Sequence, residues 1–428
     1  MRGKLSAAAL AALTGLVLAG CGSSGGGGGA GSSGDPASVT GTLRVVAPNF
    51  SADNKGQEVF QGVVDRFHEE YPQVEVEGDF IPYNNLNEKI STALASGDNY
   101  DVVMAGVGWV QPLADLGAIE SLEDHGYSVD DLEGVPENFI DPVMWEDELY
   151  AVPIVANPRL LAYSKSAFEA AGLDPTKPPQ SLEELREYAK KLTVRDASGN
   201  ITQTGFDFWA DPSNYRQQFV AFMGALGGRE FEDEEPGFNS DAGREALQLI
   251  HDMIQVDQSS TYGYMNSAQT ALVTTGEAGM GFASPYVDCS EAGIGAKCDD
   301  LVYFTLKDQD EIMYSGGRLA GIGAGTDMPE AAAAFIDALR DPASQAAISA
   351  MDVGVPLNAD AVDPSFFENN PAGQYALDHL DKAVFEYGGA TFLDFRAEFG
   401  PALDAAILGE RPVDDVLAEL EQTALGER

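Results

Sequence analysis

The chain has 428 residues, with 24 Lys and Arg against 69 Asp and Glu, for a formal net charge of −45. The length suits two or three domains, and 44% apolar residues are enough to bury a large core, which excludes wholesale disorder. Nucleic acid and anionic membrane surfaces are disfavoured as partners, because both call for a basic face; the acidity reads most simply as a solvated surface.

In chain order, Arg2 and Lys4 precede an apolar run from Leu5 to Leu18. At about 14 residues it is too short for a permanent span, so residues 1–20 read as a signal peptide. The run ends in Leu18-Ala19-Gly20-Cys21, which resembles a lipobox. That resemblance implies a lipoprotein, lipidated on Cys21 and held at the extracellular face of the cell membrane by its lipid anchor only. Residues 21–41 carry the lipidated Cys and a Gly/Ser tether, with a reach of roughly 25 Å for about 20 residues. The formal G-x-S-x-G match at Gly22–Gly26 has no strand before it and no helix after it, so it is not a nucleophile elbow. Cys289 and Cys298 remain in an oxidising compartment and predict a structural disulfide.

The body alternates strands and helices. Thr42–Ala47 is β-rich. Val59, Phe60, Val63, Val64 and Phe67 recur at helical spacing and must stop near Pro72. Val74 and Val76 alternate with Glu75 and Glu77 as in a half-buried strand; Leu86, Ile90, Ala93 and Leu94 mark a helix ending at Gly97, and Asp101–Ala105 reads as a buried strand. This β-α-β-α-β order implies a parallel sheet covered by helices. Ser181 and Glu184 have capping-box spacing and open a helix through Leu192. Asp241–Val256 and Ser267–Thr275 read as helices, Met280–Ala283 and Leu301–Thr305 as strands, and Pro329 starts a helix through Arg340. From Pro371 onward the chain is mostly helical. The acidic run Glu230–Glu235 reads as a solvated loop.

Catalytic motifs are few. There is no phosphate loop, and Gly321-Ile322-Gly323-Ala324-Gly325 lacks the third glycine of a dinucleotide fingerprint. His68, His125, His251 and His379 form no metal-spaced pair. Tyr262 and Tyr264 lie at strand spacing and line one sheet face rather than bind iron. No carboxylate pair is singled out by its context. No cofactor and no metal are expected.

Several segments resemble the bacterial extracellular solute-binding proteins of family 1, the maltose-binding class of ABC importers. They are Phe67–Val76, Ala93–Gly97, Tyr100–Val103, Tyr150–Pro153, Leu161–Lys165, Phe168–Leu173, Gly276–Met280, Gly321–Gly323, Ala334-Phe335 with Gln345, and Gly409–Pro412. The resemblance implies an α/β, two-lobed periplasmic-binding-protein type II fold with a hinge and an interlobe cleft. Lobe 1 would be 42–154 with 306–348, and lobe 2 155–305 with 349–428; the chain would cross near Ile154, Leu306 and Ser349.

Sugars offer apolar faces to aromatic rings and hydroxyls to polar side chains. Asn49 and Trp109 follow strands at loop positions suited to contact, and Trp109 sits beside Gly106 and Gly108. Asn157 and Arg159 follow the first crossing, and Tyr215 resembles an aromatic contact of lobe 2. Tyr286 stands where family members often carry Trp, with Asp288 nearby. Gly316 and Arg318 precede a return strand, while Phe392, Asp394 and Arg396 begin a helix that resembles one facing the cleft.

The sequence therefore points to the binding component of an ABC importer, a monomer taking a mono- or oligosaccharide and docking on permease subunits, not an enzyme. The alternatives are another small solute (amino acid, peptide, polyamine or acidic sugar), a secreted glycosidase or esterase, and a structural lipoprotein. Net charge argues against anions at long range, unless Arg159, Arg318 and Arg396 converge.

Overall fold

Three strands begin the sheet. Gly41–Val46 lies between Val74–Asp79 and Val102–Gly106 and pairs with both in parallel. The helices Asn54–Glu70 and Tyr83–Ser96 connect them. Asp53 opens the first by accepting the Gly56 N–H at 2.8 Å, and Gly97 closes the second in a left-handed conformation that favours glycine. The computed structural model describes residues 35–426 apart from 49, 51–52, 233–234, 265–269, 358–363, 387–388 and 390. The signal peptide, Cys21, the tether before residue 35 and Asn49 lie outside the described residues, as does the side chain of Asp394.

Two long strands carry the sheet onward. Glu311–Ile322 pairs antiparallel with Val102–Gly106 on one side and with Val152–Ser164 on the other. Val152–Ser164 then pairs with Ala278–Ala283, which runs parallel to Ile201–Asp207. Each long strand changes core partway along. Val152, Ile154, Val155, Leu319, Ala320 and Ile322 belong to a first apolar core with Phe60, Phe67 and Phe335. Leu161, Tyr163, Ile312 and Tyr314 belong to a second, built on Phe206, Phe219, Phe222, Phe238 and Phe399.

Between the cores lie Asn157, Pro158 and Arg159 opposite Gly316, Ser315 and Tyr314 in register, with a bulge between Arg318 and Leu319. Proline gives the ladder no N–H and glycine gives it no side chain. Asn157 and Arg159 are half-buried there, while Ala156, Leu160 and Met313 beside them pack in a third, smaller apolar cluster with Leu357 and Phe385.

Elsewhere the local signals act as expected, with shifts. Ser181 caps Leu182–Leu192 by accepting the Glu184 N–H at 3.1 Å, but the Glu184 carboxylate returns to the Gln180 N–H rather than to that of Ser181. The α-helix from Asp241 ends at His251 and continues as a π-helical turn, Asp252–Val256. Among the described residues of 267–275, only Leu272–Thr275 is helical. Tyr262 lies in a turn and Tyr264 in irregular chain just after it, and neither is in a strand. Glu230 is 3% exposed, so the acidic run begins in the interior instead of in solvent. Cys289 and Cys298 are joined, with Cα atoms 5.6 Å apart. Among the described residues no helix is long and apolar enough to cross a membrane.

The glycines of the 321–325 run serve packing. A Cβ on Gly323 would stand 1.8 Å from the Tyr100 carbonyl oxygen, and one on Gly321 2.7 Å from that of Tyr150. Gly323→Ala must push backbone aside and is expected to cost about 3 kcal/mol, the upper end for overpacking. Urea denaturation checks it; a loss under about 0.5 kcal/mol, the usual size of surface effects, would show that the strand end yields freely.

Candidate functional site

The crossing strands and the segments packed on them gather four guanidinium groups. Arg318 makes a two-pronged pair with Asp352, Nη2 to Oδ1 at 2.9 Å and Nε to Oδ2 at 2.5 Å, and lies 5.0 Å over the Tyr83 ring. Burial works against its charge, but Tyr83 and Asp352 hold its pKa above the usual arginine value. The Asp352 backbone carbonyl accepts from Asn157 Nδ2 at 2.9 Å. Asn157 Oδ1 is buried with no protein donor among the described residues. Burial pushes the Tyr83 hydroxyl up to about 12.

Arg216 and Arg396 share Glu386. Arg216 forms a buried ion pair with it, and Arg396 Nε stands 3.7 Å from Oε1. Tyr314 donates its hydroxyl to Glu386 Oε2 at 3.2 Å. Burial, then the neighbouring Arg396, brings Arg216 down to about 10. The Gly106–Trp109 loop meets this cluster directly: a Cβ on Gly108 would strike the Glu386 carbonyl at 2.6 Å and the Phe392 ring at 2.8 Å.

Arg159 is held differently. Its Nε donates to Gln217 Oε1 at 3.1 Å, and its guanidinium lies 4.3 Å over the Trp209 ring. Burial lowers its pKa from the usual value. It lines a cavity of about 250 Å³ with Trp209, Asp211, Asn214, Gln217 and Gln218. Trp209 has φ 47°, a left-handed conformation rare for a bulky residue. Asp207 braces that turn by accepting the N–H groups of Trp209 at 2.9 Å and Leu272 at 2.7 Å. Burial raises Asp207 to about 6, but both its oxygens are committed to backbone, so it is a brace and not a poised acid.

Not every expected residue faces this site. Asn157, Arg159, Gly316 and Arg318 meet at the crossing. Trp109 is 4% exposed and packs edge-on against Tyr83 at 5.8 Å. Phe392 is buried beside Phe231, and Arg396 reaches Glu386 from the same helix. Tyr215 is fully buried: it stacks on Tyr262 and accepts the Gly263 N–H, so it presents no ring face to a ligand in this structure. Tyr286 is half-buried near Phe366. Asp288 is exposed and caps the disulfide loop by accepting the Ser290 N–H at 2.9 Å. Trp209, Asp211, Asn214, Gln217, Gln218, Tyr83, Asp352 and Glu386 were not anticipated. The available signal for the first four was their place directly after the strand Ile201–Asp207, where loops of a parallel sheet carry ligand contacts.

An aromatic ring, three amides, a carboxylate and a guanidinium around one small cavity suit a polyhydroxylated ligand. Among the described residues no group of three or more His, Cys, Asp and Glu is placed to hold a metal ion. Two α/β halves, joined by long strands that bear such a site, define a two-lobed solute-binding protein. The chain belongs to the bacterial extracellular solute-binding protein family, whose pattern it matches over residues 52–346.

A binding protein of Brucella abortus (strain 2308) is 26% identical over 251 residues, 58% of this chain. The chain spans 59% of the length of that relative. The sn-glycerol-3-phosphate-binding periplasmic protein UgpB of the same strain is 26% identical over 281 residues, 63% of each chain. Among solved structures, maltose-bound MalE3 of T. maritima superposes with a TM-score of 0.73 at 21% identity, over 91% of this chain and 100% of that one. The cyclic alpha-maltosyl-1,6-maltose binding protein of Arthrobacter globiformis gives 0.70 at 20% identity, over 90% and 98%. These likenesses establish the fold: α/β, two-lobed, of the periplasmic-binding-protein kind.

Proposed function

We propose that this protein is the substrate-binding component of an ABC importer, capturing a mono- or oligosaccharide between its lobes and delivering it to permease subunits without chemistry. The observation that carries this reading is the cavity of Arg159, Trp209, Asp211, Asn214 and Gln217 beside the crossing strands. It has the aromatic and hydroxyl-pairing groups a sugar needs, where lobe closure would engage it. The two apolar cores support a division into two lobes, close to 42–154 with 306–348 for lobe 1 and 155–305 with 349–428 for lobe 2. Leu306, Ile312 and Tyr314, however, pack in the second core and Leu319, Ala320 and Ile322 in the first, which moves the second crossing from Leu306 into the strand Glu311–Ile322. The Cys21 motif supports a lipid tether to the outer face of the membrane, an oxidising location in which the 289–298 disulfide persists, and a monomer is the simplest form of such a tethered binding protein.

The test is a thermal-shift screen on the full chain in mild detergent, with neutral mono- and oligosaccharides, uronic acids, amino acids and polyamines at about 1 mM. The panel includes sn-glycerol 3-phosphate, given what UgpB is named for. A ligand of micromolar Kd adds about 4 kcal/mol to the folded state at that concentration. The expected result is a rise of several degrees for one saccharide class, with the sugar recovered intact. Shifts confined to amino acids or polyamines, or turnover of the sugar, would overturn the reading.

A further inference from the structure

We infer that the ligand is an acidic sugar, a carboxylate- or phosphate-bearing saccharide whose anionic group is taken by Arg159. This rests on the saccharide reading above and narrows it. The contrast among the four guanidinium groups carries the argument. Arg318 is paired with Asp352, and Arg216 and Arg396 both lie within ion-pair distance of Glu386, which they share. Arg159 has no carboxylate within ion-pair distance among the described residues, although it is the one of the four that lines the cavity.

Its orientation is also set for an anion. The guanidinium carbon is held 4.3 Å over the Trp209 ring, and Gln217 occupies Nε only. The Nη1 and Nη2 edge therefore has no protein acceptor among the described residues. That edge can form paired hydrogen bonds with carboxylate or phosphate oxygens, as the Nε and Nη2 edge of Arg318 does with Asp352.

A second group in the same cavity awaits a partner. Gln218 is 2% exposed; its Nε2 donates to the Phe208 carbonyl at 2.8 Å, which fixes the amide orientation, and its Oε1 is left buried with no protein donor among the described residues. A sugar hydroxyl supplies that donor. One buried acceptor and one unmatched guanidinium edge around about 250 Å³, with the exposed Asp211 carboxylate as a further acceptor for a hydroxyl, describe a ring that carries hydroxyls and an anion set on the Arg159 side.

The helix Arg216–Ala225 starts at this cavity with no side-chain cap, so its positive end adds to the same preference. The net charge of −45 does not forbid it. Charges farther off than about 8 Å are screened at physiological ionic strength, and the contact itself is local.

Isothermal titration calorimetry on the full chain in mild detergent tests the inference with matched probes. These are D-glucuronate and D-glucose 6-phosphate against D-glucose, and D-galacturonate and D-galactose 6-phosphate against D-galactose. At least one acid is expected to bind about tenfold or more tightly than its neutral parent, the scale of one charge-assisted pair. Whether a uronate or a phosphate does so identifies the anion. In Arg159→Gln the acid-to-parent ratio should fall to near one, while Arg159→Lys keeps part of it. Parents that bind as tightly as their acids, or an Arg159→Gln ratio equal to that of the wild type, overturn the acidic ligand and leave the saccharide reading standing. Binding of none of these probes, nor of any saccharide in the thermal-shift panel, overturns both.

Discussion

Replacing Glu386 with alanine is expected to lower the free energy of unfolding by about 4 kcal/mol, a large share of the roughly 5–15 kcal/mol that holds a typical protein together. The size follows from what is left behind. Glu386 is 6% exposed and Arg216 is 6% exposed. Without the carboxylate, two guanidinium groups remain near one another in the interior, and Tyr314 loses its acceptor. Much of the cost is therefore stranded charge rather than the net worth of the pair. A second variant separates these terms. Arg216→Met combined with Glu386→Leu removes both ends, and it should recover at least half of the loss. Urea denaturation at neutral pH, with the slope m unchanged, is the measurement. If the double variant is as unstable as the sum of its single changes, the cluster acts through packing alone, and the charge argument fails.

That cluster also shows what a sequence can and cannot reveal. The first β-α-β-α-β unit was legible because each element signals itself locally. Phe60, Val63, Val64 and Phe67 repeat at helical spacing, Pro72 stops them, and Gly97 closes the next helix. Fold class and family followed from motifs in order. The long strand Glu311–Ile322 is less visible, because Gly316 and Gly317 interrupt its pattern at the place where it changes core. Glu230 reads as one more acid in an acidic run, yet it is buried. Only the fold brings the long strand and two helices together around it.

The site was half legible for the same reason. Arg159, Arg318 and Arg396 stand out in a chain with few cations, and they do converge. Tyr215 also stands out, in a polar stretch, but its ring fills the second core. Its neighbours Asp211, Asn214, Gln217 and Gln218 line the cavity instead. Local sequence marked the loop; which of its side chains turn inward depends on the left-handed Trp209 and the Asp207 brace.

Asp352→Ala is expected to cost about 3 kcal/mol, slightly less than the loss of Glu386, because the pair it breaks is more exposed. The Arg318 and Asp352 side chains are 21% and 16% exposed. Asp352 ties three crossing segments at once. Its carboxylate holds Arg318 on one long strand, its carbonyl holds Asn157 on the other, and it follows directly on the helix Pro342–Met351. The next residue, Val353, has φ 52°, which is strained for a β-branched side chain and costs about 1–3 kcal/mol. Such strain persists only where the surroundings impose it, and the Arg318–Asp352 pair is the nearest device that does so. The expected pattern is therefore specific. Val353→Gly, which relieves the strain, should offset part of the Asp352→Ala loss. Arg318→Met should be nearly as costly alone as in combination with Asp352→Ala, since either change breaks the same pair. Denaturation of the three single and two double variants decides the matter. Strictly additive losses would mean that the three segments are held by their strands alone, and that Asp352 is not the tie that the crossing geometry makes it.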